Sequence, residues 1–127
     1  MSATGSSAVK SDQEYLLDIR EAVHRVFQYT RAGKEAFMTR ALVQEAVLRN
    51  LEIVGEAVKK LPDAPKSAYP GVAWKRIAEM RDKTIHEHFV GNLELVWEAV
   101  ESDLRGLEKA VDLLLKGGEV ARTQSQG

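Results

Sequence analysis

Between Lys34 and Lys60 the apolar residues fall into two helical stripes rather than one. Phe37, Ala41, Leu48 and Leu51 lie on the first; Val43, Val47, Val54 and Val58, continued by Leu61, lie on the second. A single-striped helix can lie on a surface, whereas one striped on two sides has to touch neighbours on both. This segment is therefore predicted to be the central helix of a bundle, and the other segments supply its neighbours. Ser11-Asp12-Gln13-Glu14 is an S-x-x-E capping box, in which a hydroxyl and a carboxylate satisfy the orphan amides of a helix start. It opens a helix to about Tyr29 with Leu16, Ile19, Val23, Val26 and Phe27 on one face. Gly33 separates that helix from the central one. A third helix is expected from near Val72, turning Trp74, Ile77, Ala78 and Met80 inward. The fourth follows an Asn92 cap and carries Leu93, Val96, Val100, Leu104, Leu107, Val111 and Leu114 in near-heptad spacing. Gly117-Gly118 is expected to end it. No stretch alternates as a strand does, and no internal repeat is visible, so the predicted fold is all-α, a four-helix bundle.

A chain of 127 residues is sized for one such domain. Residues 1–10, small and polar, read as a disordered leader. Residues 11–116 form the helical domain, and 117–127 a flexible tail. The sequence has no cysteine, which excludes a thiolate metal site or a cysteine nucleophile. No apolar run approaches the roughly 18 residues that span a bilayer, so no membrane association and a cytoplasmic location are expected. The formal charge of −1 argues against broad attraction to nucleic acid, which depends on cations neutralising phosphates. No DNA partner is expected, and an RNA site has to be a local patch.

Two features interrupt the regular pattern. Pro62, Pro65 and Pro70 fall between Leu61 and Gly71; proline fixes φ and turns its predecessor away from the α region, so a non-helical connection is expected. Gly55 lies inside the central helix, where it costs about 1 kcal/mol relative to alanine and is usually kept for a close approach. Beside it, Glu56 either points into a shared cleft or, on the plainer reading, stays in solvent next to Lys60. Trp97 beside the stripe of the last helix, with the second stripe of the central helix, is read as a seam for a homodimer. His24, off the apolar face of the first helix, reads as solvated or at a boundary.

The densest chemistry lies in Arg81 to Phe89, RDKTIHEHF, which holds two of the three histidines. Asp82 and His86 are four apart, so on a helix the carboxylate can orient the imidazole. Arg81 and His86 are five apart, about 140° on a regular helix, and converge only if the helix ends, bulges or meets a second copy. Arg81 and His88, seven apart, share a face. A histidine and an arginine suit RNA cleavage without a metal or other cofactor: the imidazole moves a proton at the 2′-hydroxyl or 5′-oxygen, and the guanidinium stabilises charge on the phosphate. Lys75, Arg76 and Lys83 are candidates for the local basic patch. His86 and His88 as metal ligands are disfavoured, because positions two apart diverge on a helix.

RDKTIHEHF and the following GNLELVWEAVESDL resemble the signature region of HepT-like members of the HEPN superfamily, whose motif is R-x4-H-x-Y. DQEYLLDIREAV, VGEAVKKLP and YPGVAWKRIAEMRDK extend the resemblance over about residues 12–115. It implies a HEPN-like, dimeric, all-α ribonuclease toxin of a toxin–antitoxin pair, of type II or a type VII-like kind. The RNA-cleaving cleft would draw on both subunits, with Arg81 and His86 catalytic and Asp82, His88, Lys83 and Glu56 supporting. The implied antitoxin is a nucleotidyltransferase of the MntA type, which in such pairs attaches AMP to the motif tyrosine. His88 stands at that tyrosine position, so modification of a tyrosine there is impossible. A catalytically inactive subunit that binds RNA, nucleotide or the nucleotidyltransferase is the alternative.

Overall fold

The computed structural model describes residues 10–82, Glu87, Phe89 and 91–126, with side chains to Gly117. Every regular element among them is helical: α1 (Asp12–Tyr29), α2 (Lys34–Thr39), α3 (Ala41–Lys60), α4 (Asp63–Ala68), α5 (Trp74–Ala78), α6 (Leu93–Glu98) and α7 (Leu104–Gln126). The protein is an all-α bundle.

The capping box forms as expected. The Ser11 Oγ accepts from the Glu14 amide at 3.2 Å, and the Ser11 amide donates to Glu14 Oε1 at 3.0 Å. From there α1 buries Leu16, Ile19, Ala22, Val23 and Val26, mainly against α3 and also against α7. Arg25 Nε donates to the buried Asn50 Oδ1 at 2.8 Å, and Asn50 Nδ2 donates to the Ala46 carbonyl at 2.9 Å. Those bonds satisfy a polar group that would otherwise be costly inside the α1–α3 contact. Gly33 makes the turn after α1 at φ 98°, a conformation open to glycine.

The expected helix over 34–60 is broken. Arg40 leaves the α region at φ −114°, ψ 103°, separating α2 from α3. Side chains take over the carbonyls around the break: Thr39 Oγ1 donates to Glu35 O at 3.1 Å, and Gln44 Nε2 to Phe37 O at 2.9 Å. The bend lets Phe37 bury fully and meet Trp97, with ring centroids 5.6 Å apart. Part of the surface read as a dimer seam is used inside the chain. Trp97 lies on Phe37, and Val47, Val54, Val58 and Leu61 of the second stripe are buried within the chain.

The proline segment is also more helical than expected, because α4 places Pro65 in its first turn, where an amide has no intrahelical partner to lose. The next helix starts at Trp74 rather than near Val72; Trp74 Nε1 donates to the Tyr69 carbonyl at 2.9 Å. Asn92 caps α6 through Oδ1, and α6 continues through a π turn (Ala99–Asp103) into α7. The helix then passes the expected stop at Gly117-Gly118 and runs to Gln126. A glycine stops a helix by taking positive φ, and Gly33 alone among the described glycines does so.

Candidate active site

The site is built on Gly55. A Cβ placed there would lie 2.8 Å from both the Arg81 amide nitrogen and the Ile77 carbonyl oxygen, and 3.2 Å from the Ala78 carbonyl. The backbone of α5 and of the 3-10 turn that follows it (Glu79–Arg81) therefore rests directly on α3. Ile77 and Met80, both buried, hold that contact from the α5 side. The close approach expected at Gly55 is made by the backbone that carries Arg81.

Arg81 is the last residue of the 3-10 turn. Its side chain is 37% exposed, and its Nε donates to Glu56 Oε2 at 2.8 Å. Glu56, 48% exposed, therefore does not simply face solvent beside Lys60: its partner comes from 25 residues along the chain. The Arg81 hydrogen bond holds the Glu56 carboxyl below its ordinary titration range. Partial burial opposes this, and the charges of Arg81, Lys60 and Lys59 add to it. The carboxylate thus stays ionised, and paired, through the neutral range. Bonding at Nε leaves NH1 and NH2, the nitrogens that suit phosphate oxygens, without a hydrogen bond to any other described residue.

At Asp82 the chain turns extended, φ −77° and ψ 129°, and its amide closes on the Glu79 carbonyl at 2.9 Å. The helical spacings expected from Asp82 to His86 and from Arg81 to His88 therefore do not apply, because no helix runs through Asp82. Helix ending was one of the conditions named for Arg81 and His86 to converge. His86, His88 and Lys83 lie outside the described residues. Beyond them, Phe89 packs against the core, and the Asn92 amide donates to its carbonyl at 2.9 Å.

Of the expected basic patch, Lys75 and Arg76 are among the described residues. Arg76 is bound through two nitrogens to Asp103, Nε to Oδ2 at 2.9 Å and NH2 to Oδ1 at 2.6 Å. Lys75 is exposed. His24 is exposed, its Nε2 3.5 Å from Glu108 Oε2, at the α1–α7 boundary as expected. Among the described residues no group of three or more His, Asp or Glu side chains is placed to hold a metal ion. No described helix is long and apolar enough to cross a membrane. Next to Arg81 a groove of about 380 Å³ opens between α1 and α3, its walls including Tyr15, Asp18, Glu52, Ile53 and Ala57.

A family model described as "Ribonuclease HepT-like" matches residues 19–114. The "Probable ribonuclease HepT" of Thermococcus cleftensis is 37% identical over 108 residues, 84% of this chain and 98% of that protein. A "Putative RNase" of Caldanaerobacter subterraneus subsp. tengcongensis is 43% identical over 109 residues, 85% and 97% of the two chains. Another "Putative RNase", of Methanocaldococcus jannaschii, is 35% identical over 108 residues, covering 84% and 89%. No solved structure matches the chain.

Proposed function

We propose, from the premise that this chain belongs to the HepT-like ribonuclease family, that it cuts RNA without a metal, with Arg81 and His86 as its catalytic pair. In the reaction the ribose 2′-oxygen forms a bond to phosphorus as the bond from phosphorus to the 5′-oxygen breaks. One imidazole takes the 2′-hydroxyl proton, and a second acid returns a proton to the departing 5′-oxygen. His86 is the base. The acid is either His88 or His86 of a second copy, and in the latter case a homodimer completes the cleft. Arg81 stabilises the charge that develops on the phosphate oxygens.

The observation that carries this reading is the state of Arg81: its backbone is seated on Gly55, its Nε is held by Glu56, and NH1 and NH2 bond no other described residue. Arg76, by contrast, closes a two-bond pair on Asp103 through Nε and NH2. Glu56 is then a positioning residue. Asp82 shapes the turn out of the helix, and Lys83 adds positive charge for the RNA backbone.

The setting that goes with this reading is a toxin–antitoxin pair, of type II or a type VII-like kind, with an MntA-like nucleotidyltransferase as antitoxin. With His88 at the tyrosine position, neutralisation proceeds by binding rather than by adding AMP to a tyrosine there. The test is cleavage of RNA in EDTA by the wild type, Arg81→Ala and His86→Ala. Wild-type cleavage with a loss of about 10²-fold or more in each variant is expected. Cleavage that EDTA abolishes, or that both variants retain, overturns the proposal.

A further inference from the structure

We infer that Lys59 and Lys60, in the last turn of α3, form a second phosphate site, which holds the RNA phosphate next to the one held by Arg81. The inference rests on Arg81 as a phosphate ligand, the reading given above, and says which way the strand runs from it.

Residues three and four apart share a helix face, so Lys59 and Lys60 both stand beside Glu56 on α3. By spacing alone Glu56 and Lys60 would form an i,i+4 ion pair. In the structure the carboxylate is taken by Arg81 instead, at 2.8 Å, and neither lysine bonds a described residue. Both lysines are exposed. After the Arg81 hydrogen bond, the charges of Arg81, Lys60 and Lys59 all act on Glu56 in the direction that keeps it ionised. Three cations thus surround one carboxylate. That group carries +2 in a chain whose formal charge is −1, which leaves −3 on all the other residues together.

The two directions along α3 from Arg81 differ in sign. Toward the helix start, the same face carries Glu52, Arg49 and Glu45, a net −1. Toward its end it carries the two lysines. Lys60 lies four residues past Glu56, about 6 Å of helix rise, on the scale of one nucleotide step. A polyanion seated at Arg81 is therefore repelled along one direction and held along the other. Lysine suits the outlying position, because an ammonium on a flexible stem follows a phosphate as a point charge, whereas the arginine fork orients the one that reacts. Basic residues in a last turn also favour the helix dipole, but that effect is read by stability and not by binding.

The experiment is NMR titration of the isotope-labelled full chain with a dinucleotide, which has one phosphate, and a trinucleotide, which has two. Both carry fluorine in place of the 2′-hydroxyls and cannot be cleaved. The trinucleotide is expected to shift the amides of Arg81, Lys59 and Lys60 together and to bind about five- to tenfold more tightly at low salt. Its affinity should fall more steeply with salt, by about 0.7 in the log–log slope, the value of one further phosphate contact on a single strand. In the double variant Lys59→Ala/Lys60→Ala the trinucleotide should bind no better than the dinucleotide. Lys109→Ala/Lys116→Ala removes the same two charges from exposed positions on α7 and should keep the gain. The spectra themselves report whether each variant is folded.

Three results overturn the inference: a trinucleotide that binds no more tightly than the dinucleotide, a gain that survives in Lys59→Ala/Lys60→Ala, or an equal loss in the α7 variant, which would assign the gain to net charge. None of these readouts needs cleavage. Loss of the second phosphate site is thus separable from loss of the ribonuclease mechanism, which the Arg81→Ala and His86→Ala assays decide.

Discussion

Two arginines five residues apart on the same short stretch, Arg76 and Arg81, are both paired with a carboxylate, and the pairs are built differently. Arg76 uses Nε and NH2 against a carboxylate that is only 10% exposed, and so fastens α5 to the π turn. Arg81 uses Nε alone against a half-exposed partner. The first pair fixes one edge of the guanidinium at two points; the second holds it at one point and leaves NH1 and NH2 without a described partner. The distinction between a structural and a working arginine here lies in which nitrogens are engaged, since residue type, neighbourhood and the presence of a partner are the same.

The largest effect expected from that contrast is functional. Arg81→Ala should lower kcat for RNA cleavage by about 10² to 10³-fold with little change in melting temperature. Arg76→Ala should do the reverse, keeping kcat within a few-fold while costing about 1 kcal/mol or more, because Asp103 is left nearly buried without its partner. Equal losses of activity in the two would erase the distinction; calorimetry beside single-turnover kinetics decides it.

Next comes the seat of Arg81. Gly55→Ala puts a methyl group 2.8 Å from backbone atoms that cannot move aside cheaply, so a loss of about 1–3 kcal/mol and a parallel loss of cleavage are expected. Gly106→Ala is the control. Nothing lies within 4 Å of its Cβ, and in a helix that change should stabilise by about 0.5–1 kcal/mol in a denaturant titration. A destabilised but fully active Gly55→Ala would show that Arg81 does not depend on its seat.

A smaller effect is expected from Glu56→Gln. The amide keeps an acceptor for Nε without the charge, so kcat should fall by roughly three- to tenfold with KM nearly constant. An effect confined to KM would assign Glu56 to RNA binding instead of positioning.

The smallest is the pH dependence of stability. The Glu56 carboxyl titrates below its ordinary range when folded, so its contribution is present above the ordinary carboxyl value and disappears as pH falls through the lowered folded one. For so exposed a pair this amounts to a few tenths of a kcal/mol. The stability difference between wild type and Glu56→Gln should be flat through neutral pH and shrink only in acid. Cleavage itself should change near pH 6 to 7, about where an unperturbed imidazole titrates; a rate flat across that range removes histidine from the chemistry.

Much of the framework could be read from local pattern. The capping box, the single stripe of α1, the double stripe of α3 and the Asn92 cap depend on residues within a turn or two of each other, where side-chain spacing maps directly onto helix faces. The break at Arg40 was hidden, because the Phe37 carbonyl that an unbroken helix would have used is taken by the Gln44 side chain from seven residues on. The short helix holding Pro65 was hidden for a related reason, since proline forbids a helix interior but not its first turn. The Glu56–Arg81 bond spans 25 residues, and periodicity carries no information about such a pair. Its one local trace was Gly55, whose missing side chain marked where a second backbone would come close without saying which. For the same reason the contacts of Trp97 with Phe37, and of Val47, Val54 and Val58 with the rest of the core, could not be told in the sequence from a surface between copies.

The π turn at Ala99–Asp103 holds about one residue more per turn than an α-helix. Each position after it is therefore rotated by about 100° from where an uninterrupted helix starting at Leu93 would put it. A wheel drawn through the whole segment mixes two phases. Asp103 stands at the boundary between them, and its encounter with Arg76 belongs to the phase that the extra residue sets. The register of this helix, and with it the fastening of α5, which leads into the turn that ends at Arg81, is thus set by a count of residues as much as by their identity.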